Sequence, residues 1–144
     1  MNTKCEWTLC AIAFAEGQAM SPVQLQKAVF LLGKILPSSV LPTPYYNFLP
    51  DNYGPFDGEI YDDVRHLVEM GYVEVVRSTE RKYAQYIITN EGKHESLNLM
   101  TTFGAYSDKA KEIVLWTCSQ SFANLVRTIY NKYPEFKANS IFQG

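Results

Sequence analysis

Asp57-Gly58-Glu59-Ile60-Tyr61-Asp62-Asp63-Val64-Arg65-His66-Leu67-Val68-Glu69-Met70-Gly71-Tyr72-Val73-Glu74-Val75-Val76 is the stretch whose reading decides the fold. Ile60, Val64, Leu67 and Val68 recur at i, i+4, i+7 and i+8, the apolar stripe of a helix packed on one side. Asp57 is placed to cap its start and Gly71 to end it. The period then changes from 3.6 to 2. Tyr72 to Val76 reads as a strand, and Tyr83 to Ile88 as its antiparallel partner. Between them Arg77-Ser78-Thr79-Glu80-Arg81-Lys82 is polar and charged, which suits an exposed hairpin loop. A helix that feeds straight into a two-stranded ribbon is the second half of a winged helix, a variant of helix-turn-helix architecture.

The residues upstream supply the first half. Lys4 to Glu16 reads as a helix with Trp7, Leu9, Cys10, Ala13 and Phe14 mostly on one side and Gly17 as its stop. Ser21-Pro22 starts a second helix, since serine caps free N–H groups and proline fits the first helical position. Leu25, Ala28, Val29, Leu32 and Leu36 form its buried stripe, ended by Pro37. Gln24 and Lys27 are expected on the exposed side, and Gln26 is expected to hold the segment that follows. That segment carries prolines 37, 42, 44, 50 and 55, which excludes a regular helix. Its rings, Tyr45, Tyr46, Phe48 and Tyr53, press an extended chain onto the core. This long insertion before the third helix departs from the standard helix-turn-helix.

Downstream, Thr89 with Gly92 turns the chain into another helix. From Ser107 two more follow, one marked by Ala110, Ile113, Val114 and Thr117, the other by Phe122, Leu125, Val126, Ile129 and Tyr133 and stopped by Pro134. The expected fold is therefore α+β and mainly helical: a winged-helix-like core of three helices plus a hairpin, with additional C-terminal helices. Residues 1–144 form one domain, with a core over 1–106 that includes the hairpin 72–88. The extension 107–144 covers either that core or a second copy of the chain in a homodimer.

Composition narrows the function. Of 144 residues 47% are hydrophobic and 14% aromatic, which sets the chain apart from disordered sequences. A net charge of −2 gives no global attraction to nucleic acid or anionic membrane. No apolar run approaches the ~18 residues of a membrane span, and the N-terminus lacks the pattern of a secretory signal. Three cysteines, Cys5, Cys10 and Cys118, with no CxxC pair, read as reduced thiols in a cytoplasmic protein rather than disulfides or zinc ligands.

Several stretches also resemble a bacterial family. They are Met20 to Lys27 with Phe30-Leu31-Leu32; Phe48 through Asn52-Tyr53-Gly54-Pro55-Phe56; Ile60-Tyr61-Asp62-Asp63-Val64 with Leu67 and Gly71; and Tyr86-Ile87-Ile88-Thr89 with Gly92. Together they are similar to the YwgA-like bacterial proteins and, more distantly, to the Panacea or SocA-like antitoxin domain. The tryptophan-glycine-proline element of Panacea domains reads Tyr53-Gly54-Pro55 here. The resemblance implies a compact, mostly helical, non-enzymatic domain that works through protein contacts as an antitoxin or adaptor. It brings no catalytic residues.

The residues themselves offer few catalytic sites. No phosphate loop, GxGxxG, HExxH or GxSxG is present. A Cys118 dyad with His66 or His94 is weighed against a buried inert thiol in an amphipathic helix, and the inert thiol is preferred. Glu59, Asp62 and Asp63 could do acid–base work or hold a divalent cation. The simpler reading is a solvated face in the first half of a helix, where negative charge complements the helix dipole. Five acids (Asp57, Glu59, Asp62, Asp63, Glu69) against Arg65 disfavour groove reading by that helix, since phosphates repel them.

Two binding surfaces remain. Tyr45, Tyr46, Tyr53 and Phe56 are candidates for core packing or for contact with a protein partner, a toxin or regulatory protein. Arg65, Arg77, Arg81 and Lys82 form the alternative, a DNA contact through the hairpin tip, against which stands a solvated loop that keeps the hairpin soluble. No cofactor and no metal are expected. The leading expectation is a non-enzymatic protein-binding module, with a winged-helix DNA-binding regulator as the alternative.

Overall fold

The computed structural model describes residues 1–143. Six α-helices and two short hairpins follow one another as α1 (Thr3–Phe14), α2 (Pro22–Ile35), β1 (Leu49–Asp51), β2 (Gly54–Phe56), α3 (Glu59–Glu69), β3 (Val73–Val76), β4 (Gln85–Ile88), α4 (Asn90–Leu99), α5 (Ser107–Ser119) and α6 (Phe122–Lys132). The fold is mainly helical α+β. No described helix is long and apolar enough to cross a membrane.

Local signals in the sequence account for most boundaries. The Ser21 hydroxyl accepts from Gln24 N at 3.1 Å, and the Gln24 side chain accepts from Ser21 N at 2.9 Å. This reciprocal capping box satisfies two donors that a helix start otherwise leaves free. Thr89 caps α4 with its hydroxyl alone, accepting from Gly92 N at 3.0 Å. At the end of α3, Gly71 takes φ +81°, the left-handed turn that glycine adopts without steric cost.

α1 is the central helix. The sequence suggested one buried side, but Cys5, Trp7, Leu9, Cys10, Ala11, Ile12 and Phe14 are buried around much of its circumference. It packs on α2, α3, α4, α5 and β4, and a helix apolar on all sides has to be enclosed in this way. Phe103, in a 3-10 turn between α4 and α5, stacks on Trp7 and meets Phe14 edge-on. α5 and α6 close the core over α1 and α2 with Ala110, Val114, Thr117, Leu125 and Ile129. Residues 107–132 thus complete the same core to which the first three helices contribute.

β3 and β4 pair antiparallel in the register Val73↔Ile88 to Val76↔Gln85. Met20 adds a third rung on the outer side of β4, exchanging both backbone hydrogen bonds with Tyr86 at 2.9 and 2.8 Å. That bridge covers part of an edge that would otherwise stay open.

The proline-rich segment holds a hairpin that the sequence did not announce. β1 and β2 pair Leu49↔Phe56, Pro50↔Pro55 and Asp51↔Gly54. Two opposed prolines, neither with an N–H, fit only a pair that exchanges no hydrogen bonds. Gln26, 1% exposed, holds the end of this hairpin. Its amide donates to the Asp57 carbonyl at 2.8 Å, and its Oε1 accepts from Asp57 N at 3.1 Å. The side chain thereby stands in for one rung of a sheet.

Three expectations about helix surfaces need correction. α3 begins at Glu59, and Asp57, outside the helix, accepts from Glu59 N at 2.9 Å and from Asn47 N at 2.8 Å. Asp63 is 8% exposed rather than solvated, because Tyr46 from the proline-rich segment covers it. Lys27 is 3% exposed rather than solvent-facing, because the β1–β2 hairpin folds over it. Long-range partners decided both burials.

Candidate functional site

The surface that best combines shape with chemistry runs between α3 and the β3–β4 hairpin. There Val64, Val68 and Val75 floor a groove of about 340 Å³. Arg65 and Glu69 from α3 and Arg77 from the end of β3 supply its charges, and Tyr61 and Tyr86 its rings. Periodicity explains the arrangement: Tyr61, Arg65 and Val68 lie three or four residues apart on one helix face. Burial raises the Tyr86 phenol, and the guanidinium groups of Arg77 and Arg65 oppose that shift, so both arginines bear on one ring. Arg65 is paired with Asp62 one turn earlier, whereas Arg77 makes no ion pair among the described residues.

Tyr61 also walls a second, smaller hollow of about 160 Å³, so the two adjoin. This hollow lies between α2, the β1–β2 hairpin and α3, with Phe56, Tyr53 and Lys27 among its lining. Burial pushes the Tyr61 phenol up to about 12, with Tyr86 adding to the effect. Lys27 donates to the Pro55 carbonyl at 2.9 Å. Desolvation brings its ammonium down to about 8 from the usual 10.5, and the field of Asp51 opposes that change. Gly54, at φ +100°, makes this packing possible. A Cβ there would lie 3.2 Å from the Tyr130 ring and 3.7 Å from Lys27 Cε. The turn therefore needs glycine both for its backbone angle and for the room.

The residues singled out in the sequence divide between surface and core. Tyr53 and Phe56 line the small hollow, and Arg65 and Arg77 line the larger groove, so the fold brings these four onto adjoining surfaces. Tyr45 and Tyr46, candidates for core packing or for partner contact, turn inward. Tyr45 donates from its hydroxyl to the Val29 carbonyl at 2.6 Å, and burial raises that phenol. The Tyr46 hydroxyl meets Asp63 Oδ2 at 2.5 Å and Thr8 Oγ1 at 2.7 Å. Arg81 and Lys82 stay in the hairpin loop, Arg81 half-buried and Lys82 exposed, and neither lines the groove.

Three of the four acidic residues of α3 have a partner of their own. Lys4 pairs with Glu59 at 2.7 Å, Arg65 with Asp62, and Tyr46 with Asp63. Burial raises the Asp63 carboxyl, and the Tyr46 bond opposes that shift. Among the described residues no three His, Cys, Asp or Glu side chains converge as metal ligands would. Burial also raises the Cys118 thiol, the reverse of the shift that activates a nucleophile.

Sequence reasoning missed Lys27 as a site residue. No local signal marked it, because the cover that buries it is the β1–β2 hairpin, far along the chain. No family model and no curated protein matches the chain.

Proposed function

We infer that the chain is a non-enzymatic binding module that docks a segment of another protein along the groove between α3 and the β3–β4 hairpin. The carrying observation is the make-up of that groove: an aliphatic floor flanked by two arginines and two tyrosines. Arginine and tyrosine around an apolar floor are residue types in which interface energy concentrates. The likeness of the sequence to antitoxin and adaptor domains supports the same reading and suggests a toxin or regulatory protein as partner.

The charges favour protein over duplex DNA. Glu69 lies in the groove and Asp62 occupies Arg65, so a phosphate backbone would meet carboxylates as well as guanidinium groups. Arg81 and Lys82 lie outside it. Self-association is a separate use of the surface. Trp116 and Ile35, 37% and 38% exposed, line a hollow of about 280 Å³ between α2, α5 and α6.

Affinity capture from the native host tests the docking reading. A partner retained by the wild type and by the control Lys93→Glu, but lost by Arg77→Glu, supports it. A partner indifferent to Arg77→Glu, or a steeply salt-dependent duplex shift that requires Arg81 and Lys82, refutes it. Light scattering on Trp116→Glu reads the oligomeric state independently.

A further inference from the structure

The fold leaves Lys27 incompletely satisfied. An ammonium carries three donors, yet its nitrogen has one hydrogen-bond acceptor among the described residues, the Pro55 carbonyl. No carboxylate of the described residues lies within ion-pair distance, and Asp51 acts on it from further away. Buried charges in proteins are ordinarily paired and fully hydrogen-bonded, since an isolated one is costly. This one is 3% exposed and borders a hollow instead.

We propose that the hollow between α2, the β1–β2 hairpin and α3 is a binding site for a small monocarboxylate with a flat apolar body. The carboxylate takes up the unused donors of Lys27, and the body lies against Phe56, Tyr61 and Val23. Three properties of the site select this class. Its volume of about 160 Å³ is well below that of pockets for drug-sized ligands, so the ligand is small. Val23, Tyr53, Phe56 and Tyr61 line it beside the polar Gln26, Asn52 and Asp51, so a ligand with an apolar body fits its walls better than a compact, strongly hydrated oxyanion. Asp51 lines the same hollow, so a second negative charge on the ligand would be repelled. The proposal needs no protein partner and stands or falls apart from the docking groove.

Binding a carboxylate favours the charged amine, so affinity falls as pH rises past the Lys27 value of about 8. The test is titration of isotopically labelled protein with benzoate, followed by amide chemical shifts, beside parallel titrations with inorganic phosphate and benzyl alcohol. Saturable shifts around Val23, Phe56 and Tyr61 are expected with benzoate. Benzyl alcohol should bind at least about tenfold more weakly, the loss expected when a charged hydrogen bond is removed, and phosphate, which lacks the apolar body and brings a second charge near Asp51, should bind at least about tenfold more weakly too. Benzoate affinity should likewise drop about tenfold or more between about pH 6.5 and about pH 9.5.

Lys27→Met should abolish that pH dependence and weaken binding to the level of the alcohol. Val23→Phe, which fills the hollow and keeps the lysine, should abolish binding outright, and it carries the test if Lys27→Met does not fold. Absence of saturable shifts, equal binding of phosphate, or benzoate binding unchanged by either variant overturns the proposal.

Discussion

Replacing Lys27 by methionine should make the protein more stable at neutral pH, although it removes a hydrogen bond. The lysine is 3% exposed, and burial brings its ammonium from 10.5 to about 8. Each tenfold change in a protonation equilibrium is worth about 1.4 kcal/mol, so keeping this amine charged in the fold costs about 3 kcal/mol. Below pH 8 that cost is present in full. The unfolded chain holds its proton more tightly than the folded one, so wild-type stability rises with pH through the window from about 8 to 10.5. Methionine removes the cost and fills nearly the same volume. It leaves the Pro55 carbonyl without its donor, a loss of about 1 kcal/mol net.

The difference predicts that Lys27→Met gains about 2 kcal/mol at about pH 6.5 and close to nothing at about pH 9.5. Urea unfolding followed by the fluorescence of Trp7 and Trp116 measures it. With a slope of about 2 kcal/mol per molar, the midpoint of the variant should lie about 1 M higher at the lower pH and coincide with wild type at the higher. A variant less stable than wild type at both values refutes the reasoning. So does a gain that does not change with pH, because the ionisation of this amine is the only source claimed for it.

Three further outcomes follow from the buried polar groups. Asp63→Asn should flatten one limb of the pH–stability profile. Burial raises the folded carboxyl above its unfolded value, so wild type loses stability as pH rises from about 4 through the folded value, and the asparagine variant should not. Tyr46→Phe leaves Asp63 and Thr8 without their shared partner and should cost about 1–3 kcal/mol in denaturant unfolding. Gln26→Leu strips both bonds from the Asp57 backbone and should cost about 2 kcal/mol, with faster amide exchange at Asp57 as its local signature.

What could be read in the chain was whatever is settled by near neighbours. The stripe Ile60, Val64, Leu67, the Ser21 cap, the turn into a helix at Thr89 and the strand over Val73 to Val76 each depend on residues within a turn or a strand of one another, and each stands in the fold. Gln26 was also legible, since an amide next to a buried stripe and near a proline-rich run has obvious backbone to bind. The inward packing of Tyr45 and Tyr46 was legible as one of two readings of their stretch, whereas the burial of Lys27 and Asp63 was not. A charged residue on a helix is solvated unless something distant covers it. The covers here are the Pro55 carbonyl, 28 residues from Lys27, and Tyr46, 17 residues from Asp63. The candidate groove failed to show for the same reason. Arg65 and Arg77 are neighbours only once β3 has turned back along α3, whereas Arg81 and Lys82, nearer to Arg77 in sequence, project elsewhere.

The two buried ionisable groups both bear on stability against pH. Asp63 costs stability as pH rises above the acid range, and Lys27 costs stability until pH passes about 8. Their signs are opposite: stability falls as pH rises from about 4 through the raised Asp63 value, and it rises as pH passes through the Lys27 window from about 8 to 10.5. Most proteins have their stability maximum near neutrality, because paired carboxylates add stability above pH 5. The Lys27 penalty is still present there. Asp63 is buried where α3 meets α1, and Lys27 lies beneath the hairpin that leads into α3. A buried ammonium that uses one of its three donors and weakens the fold below about pH 8 is costly to keep. A ligand that pairs with the amine would relieve one penalty and raise stability most near neutral pH. The same benzoate titration, read as a melting temperature across pH, should therefore show its largest shift below about pH 8 and lose that shift in Lys27→Met.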